Sequence, residues 1–149
     1  DKGFQGYMRG YDIALADWRI FLSKLDRIRE SKRMSIIAIA HTKVAAFRNP
    51  EGLDFDRYEP DVHRKTWGLT HKWADIVLFA NYLTVVDEKA TVSKTTGKGK
   101  GGTHRIFYTE RTAAYDAKNR VGLKDDIDMG STAAEAWTNF ITAIKAAKE

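Results

Sequence analysis

The chain contains no cysteine. Disulfides, thiolate metal sites and a cysteine nucleophile are therefore excluded, and the composition suits a reducing compartment. Only two prolines occur, Pro50 and Pro60, and both fall in one stretch. Together with Asn49, Gly52, Asp54 and Asp56 they mark residues 41–60 as a long loop with little regular structure, a kind of segment that is usually functional or disordered. No apolar run approaches the roughly 20 residues that span a bilayer, and no signal peptide opens the chain, so no membrane partner is expected. Acid is outnumbered by base, 20 Asp and Glu against 25 Lys and Arg, for a formal net charge of +5. That balance favours anionic partners such as nucleic acid or nucleotide phosphates. What is present is ordinary for a globular protein: 149 residues, 43% hydrophobic and 30% charged, with 4 Trp, 6 Tyr and 7 Phe. Such a chain has room for one domain or one and a half, and buries a real core.

Along the chain, residues 1–10 carry three glycines and no apolar periodicity, and the first residue is Asp1 rather than Met. A flexible N-terminal segment is expected there, in a chain that is a piece of something longer. In residues 11–32, Leu15, Trp18, Phe21, Leu22, Leu25 and Ile28 recur every three or four positions, which predicts an amphipathic helix with Asp12 near its cap. Residues 34–40 (MSIIAIA) form a short, nearly unbroken apolar run, the pattern of a strand covered on both faces of a parallel sheet. Helix followed by buried strand points to an α/β fold. A second helix is expected over residues 61–73, weakened by Gly68, and a second central strand over residues 74–86 (ADIVLFANYLTVV). Residues 94–105 (KTTGKGKGGTHR) combine four glycines with basic side chains and no acid, which predicts a mobile loop or hairpin tip. Two further strands are read at residues 105–110 and 114–120, the second broken by Gly122. A terminal helix is read over residues 131–147, with Thr132 and Glu135 at capping-box spacing.

Several constellations bear on chemistry. The Gly/Lys loop lacks the G-x-x-x-x-G-K-[ST] spacing of a phosphate cradle and any helix after it, so it is not a P-loop. Its Lys94, Lys98, Lys100 and Arg105 can follow a polyanionic backbone, or belong to a solvated tip. Residues 83–88 (LTVVDE) resemble an apolar strand ending in a Mg²⁺-binding acidic pair, but without a P-loop in the chain a plain strand end fits better. The histidines His41, His63, His71 and His104 show no ligand spacing, and no metal site is expected. His41 stands apart by position, at the carboxyl end of the 34–40 run, where open α/β sheets bind ligands; there it either orients a phosphate or simply bonds to a strand end. Lys118 and Arg120, two apart on an expected strand, leave on one face. Two cations aimed one way suit the spread charge of a phosphoryl-transfer transition state, and also suit an exposed strand face.

The order of YDIALADWRIFLSKLD, SIIAIAHTKV, FDRYEPDVHRK, WADIVLFANY, a Gly/Lys loop, RIFYTE and AYDAKNRVGL resembles the C-terminal half of the RecA-like, AAA-family ATPases of phages and prophages. These are similar to the phage single-strand annealing recombinases of RecA-like fold. The resemblance covers residues 7–130. It implies an α/β, RecA-like P-loop NTPase core of which this chain is the C-terminal half only, with the Walker A and Walker B segments absent, so that residues 1–149 form a partial ATPase domain. It implies that His41 is a γ-phosphate sensor, that a DNA-contacting loop begins at Thr42 and Lys43, and that Lys118 and Arg120 reach the ATP of a neighbouring subunit. ATP and Mg²⁺ are implied as cofactors of the full-length protein, with single-stranded DNA and self-association into a ring or filament as its partnerships. The cytoplasm of a bacterial host is the implied setting. Alone, the chain is expected neither to bind these cofactors nor to hydrolyse ATP. The alternatives are a stand-alone basic nucleic-acid-binding module and, failing both ligands, a structural phage assembly protein.

Overall fold

The computed structural model describes residues 9–86 and 99–148. The chain divides into two compact units, Asp1–Ala74 and Asp75–Glu149. Both helices and strands are present, so the chain is mixed α/β, and among the described residues every strand pairing is antiparallel. No helix among them is long and apolar enough to cross a membrane.

The first unit is built on α1 (Arg9–Lys32) and α2 (Arg64–Trp73). In α1, Leu15 and Leu22 are buried and Trp18 and Leu25 half-buried, a stripe at spacings of three and four that turns one helix face inward. Three rungs join that helix to α2. Lys65 Nζ lies 2.6 Å from Asp12 Oδ1, Trp18 Nε1 donates to Thr70 Oγ1 at 2.9 Å, and Trp73 Nε1 donates to Asp26 Oδ1 at 2.9 Å. Because the partners advance together along both helices, α1 and α2 run in the same sense. Asp12 thus serves α2 instead of capping its own helix. The C-terminus of α1 closes with Arg33 at φ 51° and Met34 N donating to Arg29 O at 3.2 Å, a Schellman-type end built without glycine.

Two expectations fail here. Residues 34–40 form no regular element, and Ile37 and Ile39 are 67% and 94% exposed. A buried strand needs neighbours on both edges, and among the described residues none runs beside this segment. Conversely, residues 41–60 are not irregular: β1 (Thr42–Phe47) and β2 (Phe55–Pro60) form a regular hairpin, in register from Thr42 opposite Pro60 to Phe47 opposite Phe55. The prolines mark its turn and its end. Pro50 sits in the connection, and Pro60 is the last residue of β2, where the missing N–H costs little.

The second unit contains β3 (Ile76–Val77), β4 (Phe79–Val86), β5 (Gly99–Tyr108), β6 (Lys118–Asn119), β7 (Ile127–Asp128) and α3 (Ala133–Ala146). The apolar run expected as one central strand is interrupted at Leu78. Its first part pairs with β6, and its second joins a β4-β5-β7 sheet. Residues 99–105, expected in the Gly/Lys loop, are strand, because the ladder from Val86 opposite Gly99 to Phe79 opposite Tyr108 carries them. The stretch at 114–120 is mostly irregular, ending in the two residues of β6.

The core of this unit holds Phe79, Ala117, Leu123, Ile127 and Ala136. Phe79 stacks on Tyr115 at 4.6 Å, and Tyr108 packs against Tyr115 at 4.9 Å. Burial within this aromatic cluster, more than any nearby charge, raises the Tyr115 phenol above its ordinary pKa. Thr109, 1% exposed, is satisfied from both ends: its N–H donates to Asp126 Oδ1 at 3.0 Å and its hydroxyl to Asp125 O at 3.4 Å. Helix α3 begins as its sequence predicts. Thr132 caps it, accepting from Glu135 N at 3.1 Å, while Glu135 Oε2 accepts from Ser131 N at 2.7 Å.

Candidate functional site

The base of the β1–β2 hairpin gathers three of the residues singled out by sequence. His41 is exposed immediately before β1, and its carbonyl accepts from Asp61 N at 2.8 Å, closing the hairpin. Thr42 opens the strand, and Lys43 stands opposite Glu59. The Lys43 ammonium lies 3.1 Å from Asp61 Oδ1, with both side chains half exposed. That pair is solvent-screened and exchangeable, so Lys43 can trade Asp61 for another anion at little cost.

Alternation along the hairpin creates two faces. Lys43, Ala45, Phe47, Phe55, Arg57 and Glu59 share one; Val44 and Tyr58, on the other, are exposed. The first face carries a residue that sequence reading overlooked, Arg57, which is buried with its Cζ 5.3 Å from the centre of the Phe47 ring. The period of two in FDRYEP was the available signal, obscured by reading its proline and acids as loop.

In the second unit, Lys118 opens β6 and Arg120 follows it outside the strand, so the expected single strand carrying both on one face is not formed. Arg120 N donates to Asp75 O at 3.1 Å, and its Nη1 lies 3.7 Å from Asp75 Oδ1. Between the two cations, Asn119 folds the chain: its Oδ1 accepts from Val121 N, Gly122 N and Leu123 N at 3.2, 3.0 and 3.0 Å, and its Nδ2 donates to Leu123 O at 2.6 Å. Gly122, at φ 81°, completes that turn. The Lys118 ammonium is held below the ordinary lysine pKa, first by desolvation and then by the positive charge of Arg120, against the opposing pull of Asp75. The two cations are therefore electrostatic neighbours on a turn that fixes their backbone. Such a pair can offer concentrated positive charge to an oxyanion.

The remaining basic residues are distributed differently. Arg105 donates Nη2 to Gly130 O at 2.8 Å, tying β5 to the turn before α3. Lys100 pairs with Val85 in the β4–β5 ladder. Lys94 and Lys98 lie outside the described residues. His41, Thr42 and Lys43 belong to the first unit, and Arg105, Lys118 and Arg120 to the second.

Neither helix whose cap is defined offers a phosphate cradle. His63 precedes α2 without a side-chain cap or a glycine-rich turn, and the start of α3 is already filled by the Glu135 carboxylate. Cationic groups, rather than the starts of α2 and α3, are what these described elements present to an anion.

The family model described as an AAA domain matches residues 1–121. The match takes in every site residue named above from His41 to Arg120 and leaves β7 and α3 beyond its end. No curated protein and no solved structure matches the chain.

Proposed function

The chain belongs to the AAA-domain family, whose members are of nucleotide-dependent ATPase type, and from that premise we propose that it is the phosphate-sensing and DNA-contacting part of an ATP-dependent DNA-binding protein. In this reading the full-length protein is of phage or prophage origin, has a RecA-like core, and acts in recombination or single-strand annealing in the cytoplasm of its host. ATP with Mg²⁺ supplies the polyphosphate, held by a P-loop outside these 149 residues. Lys118 and Arg120 reach that polyphosphate from a neighbouring subunit of a ring or filament. His41 senses the terminal phosphate and passes its state to the hairpin it closes. Thr42 and Lys43, with Lys94, Lys98, Lys100 and Arg105, contact the phosphodiester backbone of single-stranded DNA.

The observation that carries this reading is the Lys118–Arg120 pair, with the Lys118 ammonium held below its ordinary pKa first by desolvation and then by Arg120, on a turn fixed by Asn119. Desolvating a lysine beside a second cation is unfavourable, and the pull of Asp75 offsets it only in part. ATP turnover of the full-length protein is the test. Lys118→Ala and Arg120→Ala should each lower it by about 10³-fold or more, the low end of the effect of a phosphate-directed arginine in the best-known cases, with unchanged far-UV circular dichroism. Turnover at the parent level in both variants would overturn the reading. A second reading, a basic nucleic-acid-binding module without ATPase activity, is favoured by the lack of a G-x-x-x-x-G-K-[ST] motif in the sequence. It requires salt-sensitive DNA binding that is indifferent to both substitutions and to ATP.

A further inference from the structure

We propose that Arg57 is a phosphate-binding residue, its guanidinium held over the Phe47 ring on the hairpin face with its terminal nitrogens left for an oxyanion. Arg57 is 7% exposed, on β2 opposite Ala45. A guanidinium keeps its charge at any physiological pH and carries five N–H donors in its plane. The Arg57 Cζ lies over the ring of Phe47, 5.3 Å from the centroid, a cation–π contact that supplies no hydrogen-bond acceptor; Phe47 is itself braced against Phe55 with ring centres 5.2 Å apart. The Arg57 Nε is fully enclosed without an acceptor, whereas the two terminal nitrogens are not enclosed in this way. The fork is thus enclosed at its stem, while its tip is not fully enclosed.

The carboxylates around the hairpin do not answer it. Asp54 accepts from Asn49 N at 3.0 Å in the turn, and Asp61 takes Lys43 at 3.1 Å. Asp56 alternates to the opposite face. Glu59 shares the face of Arg57 two residues on, but among the described residues no ion pair joins the two. Thr109 is the useful comparison: the other buried polar side chain among the described residues has its groups bonded, and Arg57 does not. A buried cation without an anion is a standing cost, which a Met of similar shape would avoid. A planar fork with a preset orientation matches the paired oxygens of a phosphate. The phosphate belongs either to a nucleotide or to a polynucleotide backbone. This inference stands on Arg57 alone and does not depend on the roles given to Lys118 and Arg120.

The test is a ¹H–¹⁵N titration of the Arg57 Nε–H resonance in the 149-residue chain, assigned through bonds from its own backbone so that no variant is needed. Inorganic phosphate, MgATP and a short oligothymidylate are the three probes. The expected result is a saturable shift of the Arg57 resonance with inorganic phosphate and a tighter one with either MgATP or the oligonucleotide, which identifies the source. Arg57→Lys, if folded, should weaken that binding about tenfold or more, because a point charge replaces the fork. No shift with any probe, or an equal drift of all arginine resonances, overturns the proposal. So does a shift of Arg57 Nε–H in Glu59→Gln without ligand, since Glu59 would then be its partner. None of these outcomes alters ATP turnover in Lys118 or Arg120 variants, so the two readings fail separately.

Discussion

Lys118 shows how a single side chain can work against the fold that holds it. Its folded pKa lies below the unfolded value of 10.5, chiefly through desolvation and then through Arg120. Between the two values the unfolded chain binds more protons than the folded one, so this group's contribution to stability rises with pH through the alkaline range toward 10.5 and is unfavourable at neutral pH. The sign is opposite to that of Asp12, whose carboxyl is lowered by its hydrogen bond to Lys65; that contribution is present above 3.8 and fades as pH falls through the folded value. Lys118→Met should therefore leave the thermal midpoint at pH 7 unchanged or slightly raised, and flatten the rise in stability as pH approaches 10.5. Differential scanning calorimetry across pH checks both. A marked fall in midpoint would mean that Lys118 holds the strand, and its charge would need no ligand to explain it.

At the scale of elements, what could be read in the sequence depended on whether the signal was local. The α1 stripe and the Thr132–Glu135 cap were legible because both act within a few residues of one helix. The hairpin was not, since its register depends on cross-strand pairing and its prolines pointed toward irregular chain. The run at residues 34–40 reads as a strand because its composition is that of one, but a strand also needs partners that pattern cannot supply. Of the candidate site, the residue types His41, Lys118 and Arg120 could be picked out in the sequence but their settings could not: His41 precedes a hairpin instead of ending a strand, Arg120 lies beyond the two residues of β6, and the Asn119 turn and the burial of Arg57 emerge only from tertiary structure. Gly130 is where local and tertiary demands meet. It sits at φ 61° before α3, and a Cβ there would strike the Glu135 carboxylate that closes the helix start. Gly130→Ala should destabilise the second unit by about 2 kcal/mol, combining left-handed strain with a displaced cap. Chemical denaturation measures it; a loss within a few tenths of a kcal/mol would show that Glu135 moves aside freely.

For the whole molecule, the balance of apolar surface matters as much as charge. Among the described residues the first unit buries Leu15 and Leu22, while Ile13, Ile20, Ile28, Met34, Ile37 and Ile39 are more than two-fifths exposed. Isolated exposed apolar side chains are common, but residues 34–40 expose theirs consecutively on a segment that no ladder pairs among the described residues. Such a segment offers backbone donors, acceptors and isoleucine side chains to any extended chain, the usual origin of edge-to-edge association. The net charge of +5 opposes association at low salt and is screened at about 0.15 M, where the Debye length falls to about 8 Å. The 149-residue chain should therefore bind anilinonaphthalene sulfonate and sediment as species larger than a monomer as salt is raised. The paired change Ile37→Lys with Ile39→Lys should reduce both effects severalfold without altering helix content, because neither side chain supports the α1–α2 rungs. Sedimentation velocity and dye fluorescence at two salt concentrations distinguish the outcomes. If the double variant loses helix content instead, residues 34–40 serve the core of the first unit in solution, and the buried strand implied by their composition is formed within the chain.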